Sequence, residues 1–192
     1  MEALFVSTGV VALAEIGDKT QLLAFILAAR FKKPVPIVAG ILCATIVNHG
    51  LAGALGAWIT TAVGPATLRW ILGISFIGMA VWTLIPDSIE AEETDMAKRL
   101  GVFGATLLTF FLAEMGDKTQ IATIAMAAHY ATPVLVVIGT TLGMLLADVP
   151  AVIVGEKLAG RIPLKLVHGV AAAIFAGLGV ATLLGVGSGL GI

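Results

Sequence analysis

Long apolar stretches separated by short polar connections dominate the pattern along the chain. A helix that crosses the hydrocarbon core of a membrane needs roughly 20 mostly apolar residues. Six stretches have that length: Leu4–Ala29, Val35–Ala62, Ala66–Ile85, Leu100–Ala128, Val134–Val154 and Leu166–Val186. Helix-breaking prolines fall between them, at Pro34, Pro65, Pro133 and Pro163. The pattern therefore predicts an all-α, polytopic membrane protein with six transmembrane helices.

Composition agrees with a membrane protein. Of the 192 residues, 59% are hydrophobic and 12% are charged, with a mean hydropathy of +1.07. A soluble domain would carry about 25% charged residues. The net charge of −1 gives no reason to expect a nucleic-acid partner. We expect the lipid bilayer to be the main surrounding of the chain.

The second half of the chain repeats the first at a spacing of 99 residues. The stretch "AEIGDKTQ" begins at Ala14, and "AEMGDKTQ" begins at Ala113. Each half holds three predicted spans, an odd number, so the two halves must enter the membrane from opposite sides. We predict two inverted three-helix repeats, residues 1–86 and 100–192, joined by an acidic linker at 87–99. Inverted repeats in transporters place the substrate site near the bilayer midplane, between the repeats.

Basic residues predict the orientation. They concentrate in the first, third and fifth connections, at Arg30, Lys32, Lys33, Lys98, Arg99, Lys157, Arg161 and Lys165. Cytoplasmic loops carry the excess of lysine and arginine, and acidic residues contribute little to this rule. We therefore expect the acidic linker to be cytoplasmic and both termini to lie outside.

The repeated signature supplies hard oxygen ligands. On a helix, Glu15 and Asp18 would share one face that Gln21 extends. Glycine at the third signature position also permits a local break that frees backbone carbonyls. The candidate metal ligands are Glu15, Asp18, Gln21, Glu114, Asp117 and Gln120. Carboxylate and amide oxygens suit Mg²⁺, Ca²⁺ or Mn²⁺, and we expect no cofactor beyond a transported cation.

A second group of polar residues has candidate supporting roles. Each signature lysine follows its glutamate by four residues, the favourable helical spacing, and each signature threonine adds a hydroxyl. Three more polar residues lie within spans two and five, where His49 aligns with Asp148. The candidates for coupling or second-sphere support are Lys19, Thr20, Lys118, Thr119, Asn48, His49 and Asp148. For the lysines, direct coupling and structural pairing both stay open.

The energetic cost of these charges favours function over scaffolding. An ionised residue at the centre of a span costs ~2.5–3.5 kcal/mol on insertion scales, so six cost about 15–21 kcal/mol before pairing. Helices can pack through small residues at a lower cost. Charged groups placed twice at this depth therefore indicate a site.

The doubled "EIGDKTQ" and "EMGDKTQ" resemble the signature E-x-G-D-[KR]-[ST] of the Gdt-type cation exporter family. The resemblance implies a divalent cation–proton antiporter that acts on Mn²⁺ and Ca²⁺. It also implies that Glu15, Asp18, Glu114 and Asp117 form the ion site. The chain lacks the N-terminal extension of the organellar members. We therefore expect a bacterial protein of the inner membrane.

The functional hypothesis is a secondary transporter, not an enzyme, that exports Mn²⁺ in exchange for protons, with Ca²⁺ as an alternative substrate. Protons and metal would compete for the same clustered carboxylates. A divalent cation channel with an acidic selectivity ring stays open. So does a small-solute exporter, and so does an intramembrane aspartyl-type protease, because "IGDK" and "MGDK" loosely match a Gly-x-Gly-Asp motif. The sequence leaves the oligomeric state undetermined.

Overall fold

A computed structural model describes residues 1–85, 96–130, 132–154 and 164–185. Every regular element in these ranges is an α-helix, as the apolar pattern predicts. The helices are α1 (Glu2–Glu15), α2 (Lys19–Phe31), α3 (Pro34–Ala62), α4 (Pro65–Thr83), α5 (Met96–Glu114), α6 (Lys118–Tyr130), α7 (Pro133–Val154) and α8 (Leu164–Leu183). Most of the predicted acidic linker and the connection that contains Pro163 lie outside the described residues.

Three of these helices, α3, α4 and α7, are long and apolar enough to cross a membrane. The part of α5 from Leu100 onward forms a fourth candidate span together with α6, and the two are bent by 70°. The predicted spans Leu4–Ala29 and Leu100–Ala128 are each divided into two helices at their signature, where glycine was expected to permit a break. With 14 and 13 residues, α1 and α2 are each about 20 Å long, shorter than a ~30 Å hydrocarbon core.

Large apolar side chains cover the outer surface of the described helices. Val35, Phe5 and Leu146 are 78%, 67% and 61% exposed. Soluble monomers rarely expose apolar surface on this scale. The surface therefore fits a protein embedded in lipid.

Three prolines that the sequence pattern placed between the spans are instead the first residues of helices. Pro34, Pro65 and Pro133 are the first residues of α3, α4 and α7. Proline is favoured there because its missing N–H would have no partner in the first turn of a helix. The starts also repeat at the 99-residue spacing, since Pro65 corresponds to Leu164, the first residue of α8.

Helices from the two halves pack against one another in matching pairs. Helix α1 packs against α7, and its counterpart α5 packs against α3. Glycine permits both approaches: a Cβ at Gly40 would lie 2.8 Å from the Thr106 Cβ, and one at Gly139 would lie 2.6 Å from the Leu4 carbonyl oxygen. Helices α3 and α7 also contact each other, as do α4 and α8. Because helices of each half pack against helices of the other half, the two signatures lie together inside the molecule.

Candidate metal centre

Each signature is a break between two helices. Gly17 and Gly116 have φ of 84° and 78°, which glycine adopts without the strain that a side chain would impose. The breaks end α1 at Glu15 and α5 at Glu114. The carbonyl end of a helix carries a partial negative charge and favours a nearby cation. Both glutamates therefore stand where the backbone as well as the side chain suits a positive ion.

The expectation that Glu15 and Asp18 share one face of a continuous helix is wrong. Asp18 caps α2, and its carboxylate accepts a hydrogen bond from the Thr20 N–H at 3.5 Å. The backbone turns tightly between glutamate and aspartate, because the Asp18 N–H donates to the Glu15 carbonyl at 3.0 Å. Asp117 makes the same bond to Glu114 at 3.1 Å.

Three carboxylates from the two halves form the cluster that could hold a cation. One oxygen each from Glu15, Glu114 and Asp117 lies within 4.8 Å of the others, and all three side chains are buried. Within the described residues, Oε1 of both glutamates and Oδ2 of Asp117 have no hydrogen-bond partner. Buried polar atoms normally have a partner, so these oxygens fit a divalent cation bound between the halves.

Two ion pairs cross between the signatures. The Lys19 Nζ lies 2.9 Å from Oδ1 of Asp117, and the Lys118 ammonium pairs with Asp18. The Lys118–Asp18 pair is 1% and 0% exposed, whereas the Lys19 side chain is 27% exposed. The sequence spacing suggested that each lysine would approach the glutamate of its own signature. The break removes that helical register, and each lysine instead pairs with the aspartate of the other half.

The signature threonines hold one oxygen of each glutamate. The Thr20 hydroxyl donates to Oε2 of Glu15 at 2.5 Å, and the Thr119 hydroxyl donates to Oε2 of Glu114 at 2.9 Å. Each bond links the end of one helix to the first turn of the next. The threonines therefore orient the glutamates and leave the second oxygen of each for another partner.

The signature glutamines brace the two breaks. The Gln21 Oε1 accepts a hydrogen bond from the Gly17 N–H at 2.8 Å. Its amide nitrogen donates to the Ala147 carbonyl on α7 at 3.0 Å. The side chain thus ties the first break to a helix of the other half.

Gln120 makes the matching bonds in the second half. Its Oε1 accepts from the Gly116 N–H at 2.7 Å, and its amide nitrogen donates to Oδ1 of Asn48 at 3.1 Å. Asn48 in turn donates to the Phe111 carbonyl at 3.0 Å. Both glutamines were expected to complete the metal shell. In this arrangement their oxygens accept hydrogen bonds from backbone amides, and a ligand role for them stays a prediction.

His49 and Asp148 flank the carboxylate cluster from α3 and α7. Both are fully buried. The His49 Nε2 lies 4.0 Å from Oε2 of Glu114, and Asp148 directly follows Ala147, whose carbonyl accepts the hydrogen bond from Gln21 of the first signature. Neither side chain has a hydrogen-bond partner among the residues that the structure describes. The two positions that align in the repeats therefore both border the candidate site.

One residue near the site was missed from the sequence. The His168 Nε2, on α8, lies 2.7 Å from the Ile16 carbonyl oxygen, which the first break frees. The sequence signal for His168 is its alignment with Arg69, 99 residues earlier, because both side chains can donate hydrogen bonds. His168 therefore closes one of the two breaks from the last described helix.

Comparison with known protein families gives one matching description. The chain matches the family described as "Divalent cation/proton antiporter GDT1" over residues 3–91 and again over residues 102–189. Together the two matched stretches cover most of the chain, including both signatures.

Curated relatives span nearly the same length. A protein of Vibrio cholerae named "Putative manganese exporter" is 49% identical over 183 residues, which cover 95% of this chain and 90% of the relative. "GDT1-like protein 3" of Oryza sativa is 30% identical, and the matched stretch covers 94% of this chain and 73% of the relative. "GDT1-like protein 5" of Arabidopsis thaliana is 28% identical, with coverages of 90% and 91%. No solved structure matches the chain significantly.

Proposed function

We infer the transport reaction from one premise: this chain belongs to the GDT1 family of divalent cation/proton antiporters. We propose that it exports Mn²⁺ from the cytoplasm in exchange for protons, with Ca²⁺ as a second candidate substrate. Its 49% identical Vibrio relative bears the name of a manganese exporter, which supports Mn²⁺ as the main cargo.

The observation that carries the proposal is the buried carboxylate cluster. Glu15 comes from the first half of the chain, and Glu114 and Asp117 come from the second. A site assembled from both halves can open to either side when the halves rock against each other. Hard oxygen ligands suit Mn²⁺ and Ca²⁺ better than softer metals.

The proposed architecture has six spans in two inverted repeats, residues 1–86 and 100–192, with a cytoplasmic linker at 87–99. The helix bounds that repeat every 99 residues and the crossed packing of α1 on α7 and α5 on α3 support it. In this arrangement α1 and α2 together form a broken first span, just as α5 and α6 form a broken fourth. We place the protein in a bacterial inner membrane with both termini outside, because basic residues mark the odd-numbered connections.

Exchange follows from competition for the same oxygens. Metal ligands must be deprotonated, so a bound cation excludes protons from Glu15, Glu114 and Asp117. When the cation leaves, close carboxylates in a low-dielectric site favour protonation. Lys19 and Lys118 hold the aspartates meanwhile and limit the number of protons needed. Rocking then carries metal in one direction and protons in the other.

The ion pairs disfavour the protease alternative. An aspartyl-type dyad needs two carboxyl groups that share a proton. Here Asp18 and Asp117 each accept a lysine from the opposite half, and the family is one of transporters. A channel built on the same ring differs in one measurable respect, because its metal flux would not depend on a proton gradient.

Purified protein in proteoliposomes tests the exchange. With Mn²⁺ on one side, we expect Mn²⁺ movement to drive proton movement in the opposite direction, and an imposed proton gradient to drive Mn²⁺ uphill. Glu15→Gln and Glu114→Gln should each abolish both fluxes, because they remove a ligand charge from the cluster. Glu2→Gln is the matched control, since it makes the same chemical change on an exposed residue.

Two results would overturn the proposal. A Mn²⁺ flux that does not change with the imposed proton gradient would indicate a channel. Coupled transport at wild-type rates in both cluster variants would place the site elsewhere.

A further inference from the structure

A histidine side chain lies beside the cluster of carboxylate oxygens. His49 projects from the middle of α3 and is completely buried. Neither ring nitrogen has a hydrogen-bond partner in the described part of the chain. Its Nε2 faces the cluster, 4.0 Å from Oε2 of Glu114.

The observed contact does not satisfy this imidazole. A hydrogen bond between nitrogen and a carboxylate oxygen spans about 2.7–3.2 Å, so 4.0 Å is too long. Buried polar groups without a partner are rare and call for an explanation. A cation bound to the Glu114 carboxylate can supply the missing partner, because two ligand atoms at roughly 2.0–2.6 Å from the same ion lie up to about 5 Å apart.

We propose that Nε2 of His49 is a metal ligand that selects Mn²⁺ over Ca²⁺ and Mg²⁺. This inference rests on the proposed function and names the group that distinguishes among its candidate cations. The hard ions Ca²⁺ and Mg²⁺ prefer oxygen, whereas imidazole binds first-row transition metals well. One nitrogen added to three carboxylates raises the affinity for Mn²⁺ more than the affinity for Ca²⁺ or Mg²⁺. Most ligands of the site are still hard oxygen donors.

The position that aligns with His49 in the other half carries a carboxylate. Asp148 occupies on α7 the place that His49 occupies on α3, and it is also buried without a hydrogen-bond partner among the described residues. The repeats thus present an oxygen donor on one side and a nitrogen donor on the other. His49→Asp would give both halves the same oxygen donor and remove the proposed source of selectivity.

Thr45 can support the imidazole from behind. It lies four residues before His49, on the same face of α3. Its buried hydroxyl has no hydrogen-bond partner in the described ranges. Ligating histidines usually donate their second ring N–H to an acceptor, which fixes the orientation of the ring. The Thr45 hydroxyl is available to accept from Nδ1 when Nε2 binds metal.

Pulsed electron paramagnetic resonance of Mn²⁺ bound to the full chain tests the ligand directly. A directly bound imidazole nitrogen produces a ¹⁴N coupling that carboxylates cannot produce. We expect this coupling in the wild type and its loss in His49→Asp. It should persist in His129→Gln, a control histidine whose ring packs against Phe76 and Tyr130.

Binding titrations with Mn²⁺ and Ca²⁺ test the selectivity. In His49→Asp the ratio of Mn²⁺ to Ca²⁺ affinity should fall at least about tenfold, the loss typical even of groups that only support a ligand. Ca²⁺ binding should persist, because oxygen donors remain. His49→Gln gives the same test if the aspartate variant does not fold.

The outcomes separate this inference from the proposed function. Bound Mn²⁺ without ¹⁴N coupling in the wild type, or an unchanged affinity ratio in the variant, would overturn the role of His49 alone. A wild-type protein that binds no Mn²⁺ would overturn both proposals.

Discussion

The side-chain nitrogen of Lys19 lies 2.9 Å from Oδ1 of Asp117, so the lysine of the first signature neutralises the aspartate of the second. Lys118 and Asp18 make the reciprocal pair. The two halves are therefore joined by two crossed ion pairs, one of which includes Asp117 of the carboxylate cluster. Any movement that separates the two signatures must break or rearrange these pairs.

The two pairs should contribute unequally to stability. Removing one partner of a buried ion pair leaves an uncompensated charge and costs roughly 3–5 kcal/mol. Both aspartates are buried, but Lys118 is 1% exposed and Lys19 is 27% exposed, so water weakens the Lys19–Asp117 pair more than the Lys118–Asp18 pair. We expect Lys118→Met to lower the free energy of unfolding more than Lys19→Met. Thermal unfolding in detergent would measure the difference, and equal losses would contradict the asymmetry.

Gln120 and Asn48 should act as one unit. The Gln120 side chain links the Gly116 N–H to Asn48, which continues to the Phe111 carbonyl. Each single change to alanine leaves a buried group unsatisfied and costs about 1–3 kcal/mol. The double variant should cost clearly less than the sum, by ~0.5–3 kcal/mol, because contacting residues are not additive.

Unfolding of the single and double variants by denaturant measures this coupling. Gln21 with Ser75, a half-buried residue on α4 whose hydroxyl donates to the Ile71 carbonyl, provides a control pair that should be additive. Additivity for Gln120 and Asn48 would mean that the glutamine does not brace the break through Asn48.

Membrane orientation can be tested at the acidic linker. Basic residues in the odd-numbered connections predict that position 92 faces the cytoplasm. In a Cys43→Ala background, Glu92→Cys should resist a membrane-impermeant thiol reagent added to intact cells and react after the cells are opened. Labelling from outside in intact cells would reverse the proposed orientation.

The sequence predicted the parts of the site that depend on local pattern. The repeated E-x-G-D-K-T-Q placed glutamate and aspartate together in each half, and glycine marked a position where the helix could break. The sequence did not predict the consequence of that break. Helical spacing suggested a contact between Glu15 and Lys19, but positive φ at Gly17 ends the register between them.

Contacts between the halves depend on tertiary packing and were beyond any local pattern. The crossed partners of Lys19 and Lys118, and the acceptor of Gln21 on α7, become neighbours only when α1 packs on α7 and α5 on α3. The contact of His168 with the Ile16 carbonyl arises in the same way. The repeat aligned His49 with Asp148 without showing that both border the cluster.

Proton release on Mn²⁺ binding tests the shared carboxylate site most directly. Calorimetric titration of the full chain in buffers of different ionisation enthalpy counts the protons that leave as the metal binds. If metal and protons compete for Glu15, Glu114 and Asp117, the count is above zero, and the apparent Mn²⁺ affinity falls as pH is lowered. Mn²⁺ binding that releases no protons and has the same affinity at every pH would contradict the account.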